Sequence, residues 1–171
     1  IGEVGTGVGA IKPEELKVFE AACFAHHETG APICTHCTLG TLGLEQLELF
    51  EHHQVPLEKV VLSHIDLSGD YDYMLALVDR GVNIAFDTIG KENYMPDAKR
   101  IERLVNLCQA GYMGQIVLSM DVTRKSHFLA NGGLGYTYLL DHFLPRLEAA
   151  GCKAEWINQM LSENPRRIYG E

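Results

Sequence analysis

Four polar side chains stand beside short apolar runs of the sequence, and each is of a type that binds divalent metals. They are two carboxylates and two imidazoles: Glu3, His36, His64 and Asp121. Each closes a predicted strand, in I-G-E-V-G-T, P-I-C-T-H-C, V-V-L-S-H-I-D and V-L-S-M-D-V respectively. Zinc and similar ions take such ligands, and the carboxyl ends of parallel strands carry the chemistry of α/β folds. The sequence therefore predicts a metal site formed by these residues.

Each of these residues, taken singly, also has a simpler structural interpretation. A lone His36 or His64 at a strand end is more often a hydrogen-bonded core residue than a ligand. Glu3 alone would be a solvated carboxylate, and Asp121 alone would cap the loop that follows it. Burial of all these groups at one end of an apolar sheet, however, costs free energy unless a cation compensates for it. Together they favour a metal site.

The elements that must position these residues are short β-branched runs that alternate with segments of helical period. This alternation is typical of repeated βα units around a parallel sheet. The predicted strands are residues 1–6, 32–36, 60–64, 82–87 and 116–121, and the predicted helices are residues 13–29, 44–54, 71–80, 97–110, 138–150 and 153–162. Such units fit either an open doubly wound sheet or part of a (β/α)8 barrel, and length alone favours the open sheet because a barrel takes ~250 residues.

The composition indicates one packed domain with an acidic surface. The chain has 171 residues, of which 46% are apolar and 22% charged. The net charge of −9 repels phosphate backbones and anionic lipids. No apolar run approaches the ~20 residues that span a bilayer. We therefore expect neither a nucleic-acid partner nor a membrane partner.

The cysteines and the remaining motifs point to little further chemistry. Five scattered cysteines do not form a disulfide framework and predict reduced thiols in the cytoplasm. Cys34 and Cys37 have the C-x-x-C spacing, but no second pair completes a zinc ribbon. The Gly-rich stretch within residues 122–135 lacks the Lys-Ser/Thr of a P-loop and is interpreted as a lid over a cavity mouth. His26 and His27 are expected on an exposed helix face.

Several longer motifs resemble those of the phosphotriesterase homology proteins, in the phosphotriesterase family of the amidohydrolase superfamily. The resemblance runs from end to end and rests on I-G-E-V-G-T, T-H-C-T-L-G-T-L-G-L-E-Q-L, F-D-T-I-G-K, V-L-S-M-D-V-T-R-K-S-H, A-N-G-G-L-G-Y and L-S-E-N-P-R-R. It implies a (β/α)8 TIM barrel that holds two divalent metals, with zinc as the expected ion. Glu3 of the fourth strand would bridge the ions. His36 and His64 would hold the more exposed ion, and Asp121 of the eighth strand would bind the buried ion.

The same resemblance implies that residues 1–171 are only part of a barrel domain. The family's buried metal takes two further histidines from an H-x-H on the first strand, and these residues contain no H-x-H. The chain also begins Ile-Gly-Glu without a Met. We therefore expect strands four to eight and the C-terminal helices here, with strands one to three missing and no complete active site from these residues alone.

The resemblance also indicates a reaction, the hydrolysis of a carboxylic ester or lactone, in which Asp121 would carry the proton. Glu3 stands where phosphotriesterases proper have a carboxylated lysine, and Thr88 replaces their proton-relay histidine, so triester hydrolysis is expected to be weak. Lys91 and Arg124 lie in loops after strands seven and eight, where barrels commonly bind anionic groups, which suits an anionic small-molecule substrate. Solvated surface is the alternative for both residues.

Two other functions stay open at this point. One is an inactive barrel fragment, and the other is a metal-free α/β module that binds a small ligand at the switch point of an open sheet. Metal analysis would separate them, because the module should bind no ion and the fragment should bind ions weakly. Homo-oligomerisation also stays open.

Overall fold

Residues 1–170 form a parallel five-stranded sheet with helices between the strands, as described by a computed structural model. Glu171, the last residue of the predicted domain, lies outside the described residues. The strands are β1 (Val4–Thr6), β2 (Ile33–Cys37), β3 (Val60–Ser63), β4 (Asn83–Phe86) and β5 (Ile116–Leu118). The helices are α1 (Pro13–Thr29), α2 (Gly43–His52), α3 (Tyr71–Val78), α4 (Asp97–Gln109), α5 (Leu144–Ala149), α6 (Ala154–Asn158) and α7 (Asn164–Tyr169).

The strand order in space follows the order in the chain, β1-β2-β3-β4-β5, and every neighbouring pair is parallel. Consecutive βα units of a (β/α)8 barrel have this order, so the predicted fold class is confirmed. A doubly wound sheet reverses its order at a switch point. Within residues 1–170 no reversal occurs, and the open-sheet alternative is wrong.

The sheet is covered by apolar side chains on both faces. Every residue of β3 and β4 is buried, as expected for strands between two layers. One layer is the main core between the sheet and the helices. The other is a smaller cluster of Val61, Ala85 and Val117, which packs against Ile168 of α7.

Helix α7 is fixed to the amino ends of the strands by side-chain hydrogen bonds. Arg167 donates to the Asn83 side chain at the start of β4 (2.6 Å) and to the carbonyl of Gly114 (2.9 Å). Asn164 donates to the carbonyl of Ile116 at the start of β5 (2.7 Å). The chain thus closes the amino end of the sheet with its own last helix.

The first strand is shorter than predicted, and Glu3 precedes it instead of closing it. Gly2 has a φ of 137°, and a Cβ there would collide with the carbonyl of Cys34. The regular ladder therefore starts only at Val4, although the amide of Cys34 still donates to the carbonyl of Ile1 (2.8 Å). The prediction that every ligand closes a strand is wrong for Glu3.

The helix predictions hold except near the end of the chain. Gly30 ends α1 with a φ of 69°, in the left-handed conformation expected at a helix C-cap. The sequence predicts that the last helix stops at Ser162, but helical structure continues to Tyr169. Pro165 lies in the first turn of α7, a position at which the missing N–H of proline is tolerated.

His26 is buried and not exposed as predicted. Its ring Nδ1 lies 2.7 Å from the carbonyl of Ala31, beyond the end of α1. The helix pattern could not reveal this contact because Ala31 lies in the turn that follows. The imidazole satisfies a backbone group there.

Neither a disulfide nor a membrane-spanning helix occurs among the described residues. All five cysteines are free, and burial raises the pKa of the Cys37 thiol to about 12. That pKa disfavours a thiolate at the C-x-x-C spacing. Within the described residues, no helix combines the length and the apolar character needed to cross a bilayer.

Candidate metal centre

Two histidines meet at the carboxyl ends of neighbouring strands. His36 lies in β2 directly opposite Gly5 of β1, and a Cβ on Gly5 would lie only 2.9 Å from the Cβ of His36. The glycine therefore leaves the space that the imidazole needs. His64 follows β3 at once with a φ of 65°. The two ring centroids are 4.6 Å apart, and the rings lie nearly edge to face.

The carboxylate of Glu3 completes a three-residue cluster. One carboxylate oxygen lies 3.8 Å from Nδ1 of His36, and the other lies 4.0 Å from Nε2 of His64. One potential ligand atom from each residue lies within 4.8 Å of the others. The structure therefore brings together three of the four predicted ligands.

Asp121, the fourth predicted ligand, lies at the same end of the sheet but outside this cluster. It stands three residues beyond β5, in a left-handed conformation with a φ of 45°. Its carboxylate forms an ion pair with the ammonium of Lys91. Asp121 and Lys91 nevertheless share a cavity wall with His36 and His64.

Asp87, directly after β4, is a site residue that the sequence analysis did not include. Its Oδ1 accepts hydrogen bonds from the backbone amide of His64 (2.9 Å) and from Nδ1 of the same imidazole (2.8 Å). Both side chains are nearly buried. The predicted strand V-N-I-A-F-D ends in a carboxylate, just as the other predicted strands end in polar residues. The sequence therefore contained a pattern that could have identified Asp87 as a site residue. The pair leaves Nε2 of His64 directed toward the cluster.

The pKa of His64 lies above its ordinary value. Burial acts to lower this pKa, but the hydrogen bond to Asp87 and the negative charges of Asp87 and Glu3 outweigh burial. In the metal-free protein, protonated His64 therefore stabilises the folded state. That stabilisation is complete below the unfolded pKa of about 6.5 and is lost as the pH rises through the raised folded value.

Replacement of Asp87 by asparagine should consequently destabilise the metal-free protein more at acidic pH than at alkaline pH. The asparagine side chain keeps an acceptor for the amide but removes the charge that holds the proton on His64. Urea unfolding across a pH series, in the presence of a chelator, measures this difference. The control is Asp70→Asn, which changes an exposed carboxylate that caps α3 and contacts no imidazole. A destabilisation by Asp87→Asn that does not vary with pH would contradict this account.

A cavity of about 460 Å³ opens beside the cluster, between the loops that follow β4 and β5. His36 and Asp121 border it on the side of the cluster. Its outer wall carries Lys91, Arg124 and His127, and the exposed Arg124 has no acidic partner within the described residues. Part of the Gly-rich loop, including Gly133 and Leu134, lines the cavity, and its role as a lid stays a prediction. The cavity therefore joins the cluster to a basic wall.

A buried ionic network lies behind this cavity, and no motif of the sequence indicated it. Arg100 of α4 is fully buried and donates to Asp66 (2.6 Å), Asp97 (3.0 Å) and the Thr88 hydroxyl (2.6 Å). Asp66 comes two residues after His64, and Thr88 directly follows Asp87. The network therefore connects the two loops that begin at the candidate site.

The chemistry of the cluster suits a divalent ion of zinc type. A carboxylate and two imidazole nitrogens are the borderline donors that zinc takes, whereas calcium and magnesium prefer oxygen ligands alone. The hydrogen bond between Asp87 and His64 is the kind of outer contact that orients a metal-binding imidazole. The residues present therefore fit a metal.

Comparison with known proteins places this arrangement in a family. The model of the "Phosphotriesterase family" matches residues 1–169. The chain belongs to the phosphotriesterase family. A curated phosphotriesterase homology protein of Escherichia coli is 47% identical over 169 residues, which cover 99% of this chain and 58% of that protein. A phospho-furanose lactonase of Mycoplasmopsis synoviae is 34% identical and is matched over 97% of this chain and 49% of its own length.

Solved structures of the phosphotriesterase family agree with the fold. The crystal structure of the Escherichia coli phosphotriesterase homology protein, with phosphate in its active site, superposes with a TM-score of 0.96 at 47% identity. That match covers 100% of this chain and 59% of the other. The chain thus spans about half to three-fifths of the length of the phosphotriesterase-family relatives it matches.

Proposed function

We propose that the protein is a divalent-metal-dependent hydrolase of carboxylic esters or lactones. The observation that carries this proposal is the cluster of Glu3, His36 and His64 at the carboxyl end of the sheet, next to a cavity with a basic wall. The lactonase name of a relative that is 34% identical supports the reaction class. Ester and lactone hydrolysis needs an activated water beside an electrophilic carbonyl, and two members of this cluster, His36 and His64, line a cavity together with Asp121.

The chain's own residues would hold the metal and move the proton. Glu3, His36, His64 and Asp121 would hold two divalent ions. The ions, zinc being our expectation, would supply a water of lowered pKa and polarise the substrate carbonyl. Asp121 would take the proton from the attacking water and pass it to the leaving alkoxide oxygen. Asp121 and its ion-pair partner Lys91 both line the cavity.

The remaining ligands of the buried ion would come from residues outside this chain segment. In our proposal, barrel strands one to three pair with the edge strands β1 and β5 and complete the site. Each edge strand has a partner on only one side among residues 1–170, and unpaired strand edges invite further pairing. Residues 1–171 without those strands would therefore be inactive. Homo-oligomerisation of the complete protein stays a prediction.

The substrate we propose is a small ester or lactone with an anionic group. Arg124 and Lys91, the latter paired with Asp121, place positive charge on the cavity wall, although the whole chain carries a net charge of −9. The phosphate in the active site of the Escherichia coli relative supports the same direction of charge. We also propose a phosphotriesterase activity. It should be weak, because Thr88 has no imidazole with which to relay a proton.

Arg124→Ala should raise KM for anionic substrates and leave KM for neutral esters near the wild-type value. The exposed guanidinium lines the cavity, so its removal costs an attraction that only an anionic substrate gains. Lys125→Ala is the matched control, because the neighbouring Lys125 is also exposed but does not line the cavity. Lys91→Ala should also raise KM for anions. Equal KM changes for anionic and neutral substrates would show that Arg124 and Lys91 act structurally.

Metal analysis combined with an activity assay tests the whole proposal. We expect about two divalent ions per complete barrel and hydrolysis that a chelator abolishes and added zinc restores. The protein should hydrolyse a panel of lactones and carboxylic esters, with phosphorylated members preferred. A protein that binds no divalent ion and still binds a small ligand would refute the proposal and indicate a metal-free binding module built on the barrel strands.

A further inference from the structure

The Thr38 hydroxyl connects the candidate metal centre to the end of β1. It follows β2 and donates a hydrogen bond to the carbonyl of Thr6, the last residue of β1 (2.7 Å). The same oxygen lies 3.1 Å from Nε2 of His36. Gln46 of α2 contacts both residues that the Thr38 hydroxyl joins. Its amide donates to the Thr6 hydroxyl (2.8 Å) and to the carbonyl of His36 (3.2 Å). The position of this hydroxyl is therefore fixed from two strands and a helix.

The direction of these hydrogen bonds decides the protonation of the His36 ring. A threonine hydroxyl has one proton, and Thr38 gives it to the carbonyl of Thr6, which can only accept. The hydroxyl oxygen can then only accept from His36, so Nε2 of His36 must carry a hydrogen. In a neutral imidazole the other nitrogen, Nδ1, has a free lone pair.

His64 reaches the matching state through a different partner. In the neutral ring its Nδ1 donates to the carboxylate of Asp87 (2.8 Å), which leaves a lone pair on Nε2. Nδ1 of His36 and Nε2 of His64 lie 3.0 Å apart, so a proton on Nε2 of protonated His64 is donated to Nδ1 of His36 when no cation is present. Both nitrogens adjoin the carboxylate of Glu3. Two lone pairs and a carboxylate directed into one space attract a cation strongly.

We propose that Thr38 is a positioning residue that fixes His36 as the Nε2–H tautomer and thereby presents Nδ1 to the metal. Thr38 orients His36 as Asp87 orients His64, by accepting a hydrogen bond from the outer ring nitrogen. Unlike Asp87, it does so with a neutral hydroxyl, which donates its own hydrogen to the Thr6 carbonyl. The metal part of this inference rests on the proposed function, whereas the tautomer part does not. Hydrogen bonds to the outer nitrogen of a ligating imidazole typically contribute 10- to 100-fold to metal affinity.

Thr38→Val tests the inference, because valine keeps the shape of threonine and removes the hydroxyl. We expect the zinc affinity of the protein, measured by competition with a chromophoric chelator, to fall about 10- to 100-fold. Thr38→Ser should restore most of the affinity because it restores the hydroxyl. Thr41→Val is the matched control, since the Thr41 hydroxyl donates to the carbonyl of Thr38 in the same turn but does not contact His36. This control should keep the wild-type affinity.

Nitrogen NMR of the metal-free protein reports the tautomer directly. At a pH where both imidazoles are neutral, we expect the His36 signals of the wild type and of Thr38→Ser to show a protonated Nε2. In Thr38→Val the hydrogen should distribute over both ring nitrogens. Unchanged zinc affinity, or a lower affinity with unchanged His36 signals, would overturn the role of Thr38. A wild type that binds no zinc would instead refute the proposed function, and the His36 signals of the metal-free protein would still decide the tautomer.

Discussion

Replacement of Asp121 by asparagine is expected to lower kcat about 10²- to 10⁴-fold, the usual range for the loss of a general acid–base group. The carboxylate borders the cavity beside His36 and His64, and an amide of the same shape cannot accept a proton from the attacking water. The fold should survive, because the side chain is partly exposed and its one charged partner among residues 1–170 is Lys91. Steady-state kinetics on a lactone, with circular dichroism for folding, measure both effects.

Zinc content and a second variant make the Asp121 result interpretable. Glu3, His36 and His64 remain in Asp121→Asn, so the more exposed ion should still bind. Asp72→Asn is the control, because Asp72 is an exposed carboxylate in the first turn of α3 and should leave kcat unchanged. If Asp121→Asn turns over at nearly the wild-type rate, another group carries the proton.

The second large effect concerns stability. Arg100→Met should lower the free energy of unfolding by about 3–5 kcal/mol, because it leaves the carboxylate of Asp66 buried without its cation and leaves Asp97 with the more distant and half-exposed Arg146 (3.7 Å). Both carboxylates are fully buried, and Arg100 is the cation that contacts Asp66. The pKa of Asp66 is raised, first by burial and then by repulsion from the negative charge of Asp87. The hydrogen bonds from Thr88 and Arg100 and the charge of Arg100 oppose this rise. Urea unfolding at neutral pH measures the loss.

Arg80→Met is the matched control for this prediction. Arg80 pairs with Glu51 across the surface, and both side chains are about a third or more exposed. Exposed pairs contribute about 0–1 kcal/mol, so this variant should unfold almost as the wild type does. Similar losses for Arg80→Met and Arg100→Met would show that burial does not decide the strength of these pairs.

The sequence predicted the elements that depend on local pattern. Strands β3 and β4, buried on both faces, appear as near-continuous apolar runs, and α1 begins at Pro13 and ends before Gly30 as its punctuation indicates. The convergence of His36 and His64 follows from parallel strands with a common carboxyl edge. These features need no knowledge of distant partners.

The features that were missed depend on contacts between distant residues. Arg100 is charged and lies on an amphipathic helix, so the pattern gives no reason to bury it; its partner Asp66 is 34 residues away. The pairing of Asp121 with Lys91 joins two loops 30 residues apart. Asp87 marked only a strand end until the fold set it against the imidazole of His64.

The attachment of α7 to the amino ends of the strands has an evolutionary consequence. Arg167 and Asn164 secure one end of the sheet, whereas the loops that carry Lys91 and Arg124 form the other end. Substitutions at well-separated positions affect folding and binding nearly independently. Selection can therefore vary the loops around the cavity and reach new substrates while one unchanged set of contacts maintains the scaffold. An inherited framework of this kind allows substrate preference to diverge faster than the fold.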